Sequence, residues 1–303
     1  MARRRKGDAV DGVLLLDKPA AITSNLALQQ TRRLLNAAKA GHAGTLDPLA
    51  TGLLPLLFGE ATKFSTDLLD ADKEYVATLA LGVRTTTAEA EGEVVETCPA
   101  AVTRTQIEAV LPRFTGAIEQ VPPMHSALKR DGRALYEYAR AGVELERAPR
   151  PVFIAALEVL DFAGDRLRLR VACSKGTYVR TLAEDIGAAL GCGAHLAALT
   201  RTRVGPLRLA EAVALDTLGG ESPEARRAHL LPVDTLLAGL PRVELAETKA
   251  RRFAHGGELD VGGEPGRKRV YGPNDELLGT AELDAAGVLR PQRLIALAEV
   301  VPG

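Results

Sequence analysis

The sequence predicts an α+β protein that ends in a small β-rich module. Three observations carry this. Two segments alternate apolar and polar residues at the period of a strand, KEYVATLAL from Lys73 to Leu81 and LRLRVAC from Leu167 to Cys173. Segments with helical period accompany them, at Thr103–Phe114 with Ile107, Val110 and Leu111 on one side, and at about Thr177–Leu190. Beyond Arg242, glycine-rich turns recur so closely in GGELDVGGEPGRKRVYGPNDELLG that only short strands fit between them.

Taken in order, Gly12–Leu16 is a compact apolar run that reaches Lys18-Pro19, which reads as a buried strand entering a turn. Thr23 or Ser24 can then cap a helix over Asn25–Ala38, with Leu26, Leu34 and Leu35 on its apolar side. A polar, glycine-punctuated segment follows, Gly41–Gly52. The stretch between Val121 and Pro151 opens on Pro122-Pro123, closes on Arg150-Pro151 and is rich in Arg, Lys and Tyr. It reads as an extended loop with a helical stretch around Ala134–Ala141, projecting from the main sheet. The helix begun near Thr177 stops at Gly191-Cys192-Gly193. These signals divide the chain into a main domain, 1–241, carrying 122–151 as a projection, and a small module, 242–303.

With 303 residues and 46% apolar content the chain can bury a substantial core. Its 38 Lys+Arg against 39 Asp+Glu leave a net charge of −1, so the bulk supplies no field that attracts a polyanion. A nucleic-acid partner would require a local surplus of positive charge. Met124–Gly205 has one, thirteen Lys/Arg against nine Asp/Glu. Three widely spaced cysteines, Cys98, Cys173 and Cys192, offer neither a disulfide framework nor a zinc knuckle. The basic N-terminus runs into an apolar stretch, Val13–Leu16, too short for a signal sequence, and no later run reaches the roughly 20 residues of a membrane span. A cytoplasmic protein with no membrane association is expected.

The sharpest chemical feature is GHAGTLDPLATG, Gly41–Gly52, with a single carboxylate at Asp47. Pro48 biases Asp47 toward extended geometry and so constrains where its carboxylate points. The same dipeptide also suits a turn or a helix start. Neither G-x-x-x-x-G-K-[ST] nor G-x-G-x-x-G occurs, so no nucleotide cofactor is expected.

In order along the chain, GVLLLDKP, GHAGTLDPLATG, KEYVATLALG, PPMHSALKRDGRALYEYAR, CSKGTYVRTLAEDIG and CGAHLAALTRTRVGPL resemble the TruB family of tRNA pseudouridine synthases. The likeness spans about two-thirds of the chain, from Gly12 to Leu207. It implies a pseudouridine-synthase-type mixed β-sheet with flanking helices and, more loosely, a C-terminal PUA-like domain. It also implies conversion of uridine 55 in the T-loop of tRNA to pseudouridine, with no metal or organic cofactor, by a monomer that acts on the T-arm stem-loop and not on DNA.

The resemblance makes Asp47 the catalytic acid. The reaction breaks C1′–N1, turns the base and joins C1′ to C5 without admitting water, so one acid suffices where a hydrolase would need a second to activate water. Arg180 matches an arginine that pairs with this acid and favours its charged form. Tyr75 matches a tyrosine that stacks on the target base and is a candidate proton acceptor. Tyr178 and Leu199 match residues bordering the uracil pocket, and His42 one that inserts into the RNA loop as the base leaves it. Lys18, Lys63, Lys129, Arg201 and Arg203 fall in matched segments and are candidate phosphate contacts.

The sequence departs from the family at three places. Thr86 occupies a position that is commonly acidic, which puts an ionic network with Arg180 in doubt, and Glu89 nearby cannot be assumed to replace it. Ala21 stands where glycine is common and His125 where tyrosine is usual; both read as local variation remote from Asp47, Tyr75 and Arg180. Two other readings compete with the isomerase. One is a tRNA-binding and folding factor in which catalysis is secondary or lost, and the other is a nucleoside hydrolase, which would release uracil.

Overall fold

The computed structural model describes residues 7–126 and 128–296; the basic N-terminal stretch lies outside them. Gly12–Lys18 (β1) is a strand buried along nearly its whole length. Helix Ser24–Leu34 (α1) is capped by Thr23, whose side chain accepts from the Leu26 N–H, and it ends four residues before the expected Ala38. Ala40–His42 (β2) and Thr51–Phe58 (β3) flank the aspartate-bearing segment and pair with each other antiparallel. Short helix Ser65–Leu69 (α2) leads into Lys73–Leu81 (β4), which has the bounds its alternation predicts.

A hairpin, Val83–Thr85 (β5) with Val94–Thr97 (β6), holds Glu89 in its connection. The helix expected over Thr103–Phe114 is α-helical only at Arg104–Val110 (α3) and tightens to a 3₁₀ turn at Leu111–Phe114, where Pro112 has no N–H to continue it. Gly116–Gln120 (β7) follows. The projection carries a two-residue hairpin, Lys129–Arg130 (β8) with Arg133–Ala134 (β9), and helix Leu135–Arg140 (α4). Arg150–Ala163 (β10), Arg166–Cys173 (β11), helix Val179–Ala189 (α5), Ala194–Val204 (β12), Leu207–Arg208 (β13) and Val213–Ala214 (β14) follow, and the short helices Leu215–Gly220 and Pro223–Ala228 lead on toward the second sheet.

Ten of these strands form one mixed sheet in the order β14-β1-β3-β12-β4-β11-β10-β7, with β13 beside β12 and β2 beside β3. The pairs β1·β14 and β3·β12 are parallel, and the other pairs in this sheet are antiparallel. One apolar cluster joins β4, β11 and β12 to α3 and α5; another packs α1 against β1 and β3. Where β3 meets β12, a side chain on Gly52 (φ +97°) would put its Cβ 2.4 Å from the Arg201 carbonyl oxygen. Only glycine fits that approach.

A second sheet has the order Arg242–Glu244 (β15), Gly266–Tyr271 (β17), Leu277–Leu283 (β18), Val288–Leu294 (β19) and Leu259–Asp260 (β16). Phe253, on helix Glu247–Ala254, is fully enclosed in its core. Polar contacts tie this sheet to the preceding part of the chain. Arg267 grips both carboxylate oxygens of Asp67 on α2, the Tyr271 hydroxyl donates to Asp234 at 2.7 Å, and Lys63 donates to the Leu294 carbonyl at 2.8 Å. No helix among the described residues is long and apolar enough to cross a membrane.

Candidate active site

Four hydrogen bonds set the course of the chain around Asp47. The Ser24 hydroxyl accepts from the Leu46 N–H at 2.8 Å and donates to the Leu46 carbonyl at 3.0 Å. Ala21 donates its N–H to the Pro48 carbonyl and Ala50 donates to the Asp47 carbonyl. Thr23 serves as the helix cap and leaves Ser24, 1% exposed, free for this clamp. Ala21 is therefore not remote from the acid, and with φ +64° it holds a left-handed conformation that glycine adopts more readily.

Arg180 enters from the first turn of α5. The Gln120 side chain closes that helix start, accepting from the Tyr178 N–H at 2.9 Å and donating to the Tyr178 carbonyl at 3.3 Å. The guanidinium is almost wholly enclosed and has three anionic or carbonyl partners. Nη2 lies 3.0 Å from Asp47 Oδ2 and donates to the His125 carbonyl at 2.8 Å, and Nε lies 3.2 Å from Glu89 Oε1. Two expectations are corrected here. Glu89, three positions beyond Thr86, supplies the acid that Thr86 lacks, and His125 touches Arg180 through its backbone. Burial pushes the Glu89 carboxyl up to about 7, with Arg180 opposing and the Asp47 charge adding to the rise.

Asp47, Tyr75, Tyr178, Arg180, Leu199 and Arg201 line one cavity of about 310 Å³. Tyr75 and Arg201 are directly paired across β4 and β12. Burial raises the Tyr75 phenol above its ordinary range, while the adjacent Arg201 works against the rise. Burial likewise raises the Tyr178 phenol, which lies close to Ser126 Oγ without reaching hydrogen-bond geometry. Lys73, buried beside the cavity, donates to the carbonyls of Leu68, Leu69 and Ala71 at the end of α2 and so fixes the wall formed by Leu69. A second, outer cavity brings His42 together with Asp47, Glu89, His125, Ser126 and Arg140. Burial, helped by Arg201, lowers the His42 imidazole below its usual range, which leaves it uncharged at neutral pH.

The proposed phosphate contacts fare differently. Lys18 is fully buried and its ammonium donates to the carbonyls of Pro19 and Ile22; burial lowers it to about 8. Arg201 is 1% exposed and donates to the carbonyls of Leu53 and Gly44, bracing the aspartate segment from below. Neither can reach a phosphate. Lys63 is committed to Glu60 and to the second sheet, and Arg203 is half-buried with a long contact to the Gly205 carbonyl. Lys129 alone of the five is exposed on the projecting hairpin. Sequence reasoning misses Ser24 and Gln120 as site residues, with the Thr23-Ser24 pair the usable signal for the first, and it reaches Glu89 only as a neighbour of Thr86.

A mixed sheet that brings an aspartate–arginine pair to the wall of a cleft is the framework of an enzyme active site. Family profiles match in three consecutive parts: the N-terminal domain of TruB family pseudouridylate synthases at residues 32–179, the tRNA pseudouridylate synthase B C-terminal domain at 180–238, and the pseudouridine synthase II TruB C-terminal region at 241–295. The chain is 57% identical over 300 residues to the tRNA pseudouridine synthase B of Dechloromonas aromatica (strain RCB), covering 99% of this chain and 100% of that protein. It is 58% identical over 294 residues to that of Aromatoleum aromaticum, covering 97% and 95%. Among solved structures it resembles a Cbf5–Nop10–Gar1 complex, with 28% identity, TM-score 0.71, and coverage of 93% of this chain and 84% of that one. The chain belongs to the TruB family of pseudouridine synthases, isomerases that act on tRNA.

Proposed function

We propose that this enzyme converts uridine 55 in the T-loop of tRNA to pseudouridine, and that Asp47 is the acid that acts at the nucleotide. The observation that carries the reading is the Asp47–Arg180 pair, 3.0 Å apart, on the wall of a cavity that also holds Tyr75, Tyr178 and Leu199. In this reading the target base leaves its stack and enters that cavity, and His42, uncharged in the outer cleft, fills the space left behind. Asp47, partly solvent-exposed and held by Arg180, meets the sugar or base as C1′–N1 breaks. Tyr75 stacks on the freed uracil, a contact worth about 1–3 kcal/mol. Burial keeps the Tyr75 phenol protonated at neutral pH, so it is assigned the stacking role and not that of the base that takes the C5 proton.

The exposed cations of the projection, Lys129 and Arg140 among them, suit contact with the phosphates of the T-arm. Residues 1–241 then make up the catalytic domain, with 122–151 as its RNA-contacting insertion, and 242–303 a PUA-like domain. The protein is expected to work as a cytoplasmic monomer. The test is tritium release from a T-arm RNA labelled at uridine C5. Wild-type protein should release tritium, and Asp47→Asn should bind the RNA without releasing it. Release at the normal rate by Asp47→Asn would overturn the assignment, and free uracil in the products would point to hydrolysis.

A further inference from the structure

Ser126 is 5% exposed, and its Oγ has no hydrogen-bond partner among the described residues. A buried hydroxyl without a partner forgoes a bond that water would give it, so its position calls for a partner that arrives later. Its backbone is held firmly: the Ser126 carbonyl accepts from the Tyr136 N–H, and the preceding His125 carbonyl accepts from Arg180. The side chain therefore has a fixed origin.

The hydroxyl sits where two cavities meet. The inner one holds Tyr75, Tyr178 and Leu199, and the outer one holds His42 and Arg140. Only Thr45, Leu46, Asp47, Ser126 and Arg180 line both. A nucleotide whose base occupies the inner cavity and whose phosphates stay in the outer cleft must thread its ribose through this junction. Asp47 and Arg180 already pair with each other there, and of the two hydroxyls at the junction Thr45 is exposed to water while Ser126 is buried without a partner among the described residues. The ribose 2′-hydroxyl both donates and accepts, and is the group by which a protein tells RNA from DNA at a given nucleotide.

We propose that Ser126 Oγ hydrogen-bonds the 2′-hydroxyl of the target nucleotide and is a specificity-determining, positioning residue for RNA over DNA at that one position. This rests on the reading that the base enters the inner cavity. The test is a two-by-two comparison of equilibrium binding, in an Asp47→Asn background so that no RNA is converted. The T-arm stem-loop carries either uridine or 2′-deoxyuridine at the target position, and Ser126 is either kept or changed to alanine.

The expected result is that 2′-deoxyuridine weakens binding about three- to tenfold when Ser126 is present, the scale of one neutral hydrogen bond, and that Ser126→Ala abolishes the difference. Effects of sugar pucker act on both proteins alike and cancel in the comparison. Equal binding of the two RNAs by protein that retains Ser126 would overturn the proposal, and that measurement needs no change at Ser126. A deoxyuridine penalty that survives Ser126→Ala would overturn it as well. Failure of the underlying reading has its own signature, the absence of tritium release by wild-type protein.

Discussion

Glu89 Oε1 lies 3.2 Å from Arg180 Nε, with only 12% and 7% of the two side chains exposed. The same guanidinium reaches Asp47, whose side chain is 42% exposed. One enclosed cation thus joins a hidden carboxylate to one that faces the cleft. The hidden acid anchors the arginine, and the arginine orients the other acid.

This pair has a pH signature. In an unfolded chain Glu89 ionises near 4.5, and in the folded protein near 7. Between those values the folded protein holds a proton that the unfolded chain has lost, so this group's contribution to stability falls as pH rises from about 4.5 to 7. Glu89→Gln should flatten that decline, which thermal denaturation at pH 5 and pH 8 will show. The wild-type single-turnover rate should rise through about pH 7 as Glu89 ionises and secures Arg180. The variant should lack that rise and turn over about tenfold or more slowly at pH 8, a loss of about 1.4 kcal/mol or more in the barrier. A variant with the wild-type profile would remove Glu89 from this role.

Ser24 satisfies both backbone groups of Leu46, one residue before Asp47. Ser24→Ala leaves that N–H and carbonyl buried and unpaired, at a cost of about 1–3 kcal/mol in urea denaturation. Because the clamp positions Asp47 and Ser24 is itself only 1% exposed, turnover should drop while the affinity for T-arm RNA stays the same.

Ala21 holds φ +64° while its N–H binds the Pro48 carbonyl. Glycine meets that conformation without a Cβ penalty, so Ala21→Gly should stabilise the protein by about 1 kcal/mol. A denaturant midpoint that does not move upward would contradict this.

The five cations drawn from the sequence should separate in a salt titration of RNA binding. Lys129→Ala removes an exposed charge and should lower the slope of log affinity against log salt by about 0.7 to 0.9. Lys18→Met should leave the slope unchanged, because the Lys18 ammonium is enclosed by backbone carbonyls, and should instead cost stability. Equal slopes for Lys129→Ala and wild type would exclude Lys129 as a phosphate contact.

What the sequence reveals of the fold follows from which strands have two unlike faces. β4 alternates and its bounds are legible, whereas TGLLPLLF is apolar throughout and contains Pro55, so no strand is read there although β3 lies inside the sheet. In the site, Asp47 stands out because of its own proline neighbour. Its supports come from Ser24, Glu89, Gln120 and Arg180, far apart along the chain, and only the folded sheet brings them together. The same limit misled the reading of Lys18 and Arg201. Whether a cation faces solvent or is enclosed depends on carbonyls that converge from other segments, and residue type carries no trace of that.

The grip of Arg267 on Asp67 falls two residues before Leu69, which forms part of the inner cavity's wall. A shortened protein that stops before Arg242 would give up this outer buttress along with the Lys63 and Tyr271 ties. Inhibitor screening and ligand soaking are thus best done on the intact polypeptide, since a trimmed one would offer compounds a cleft with an unsupported side.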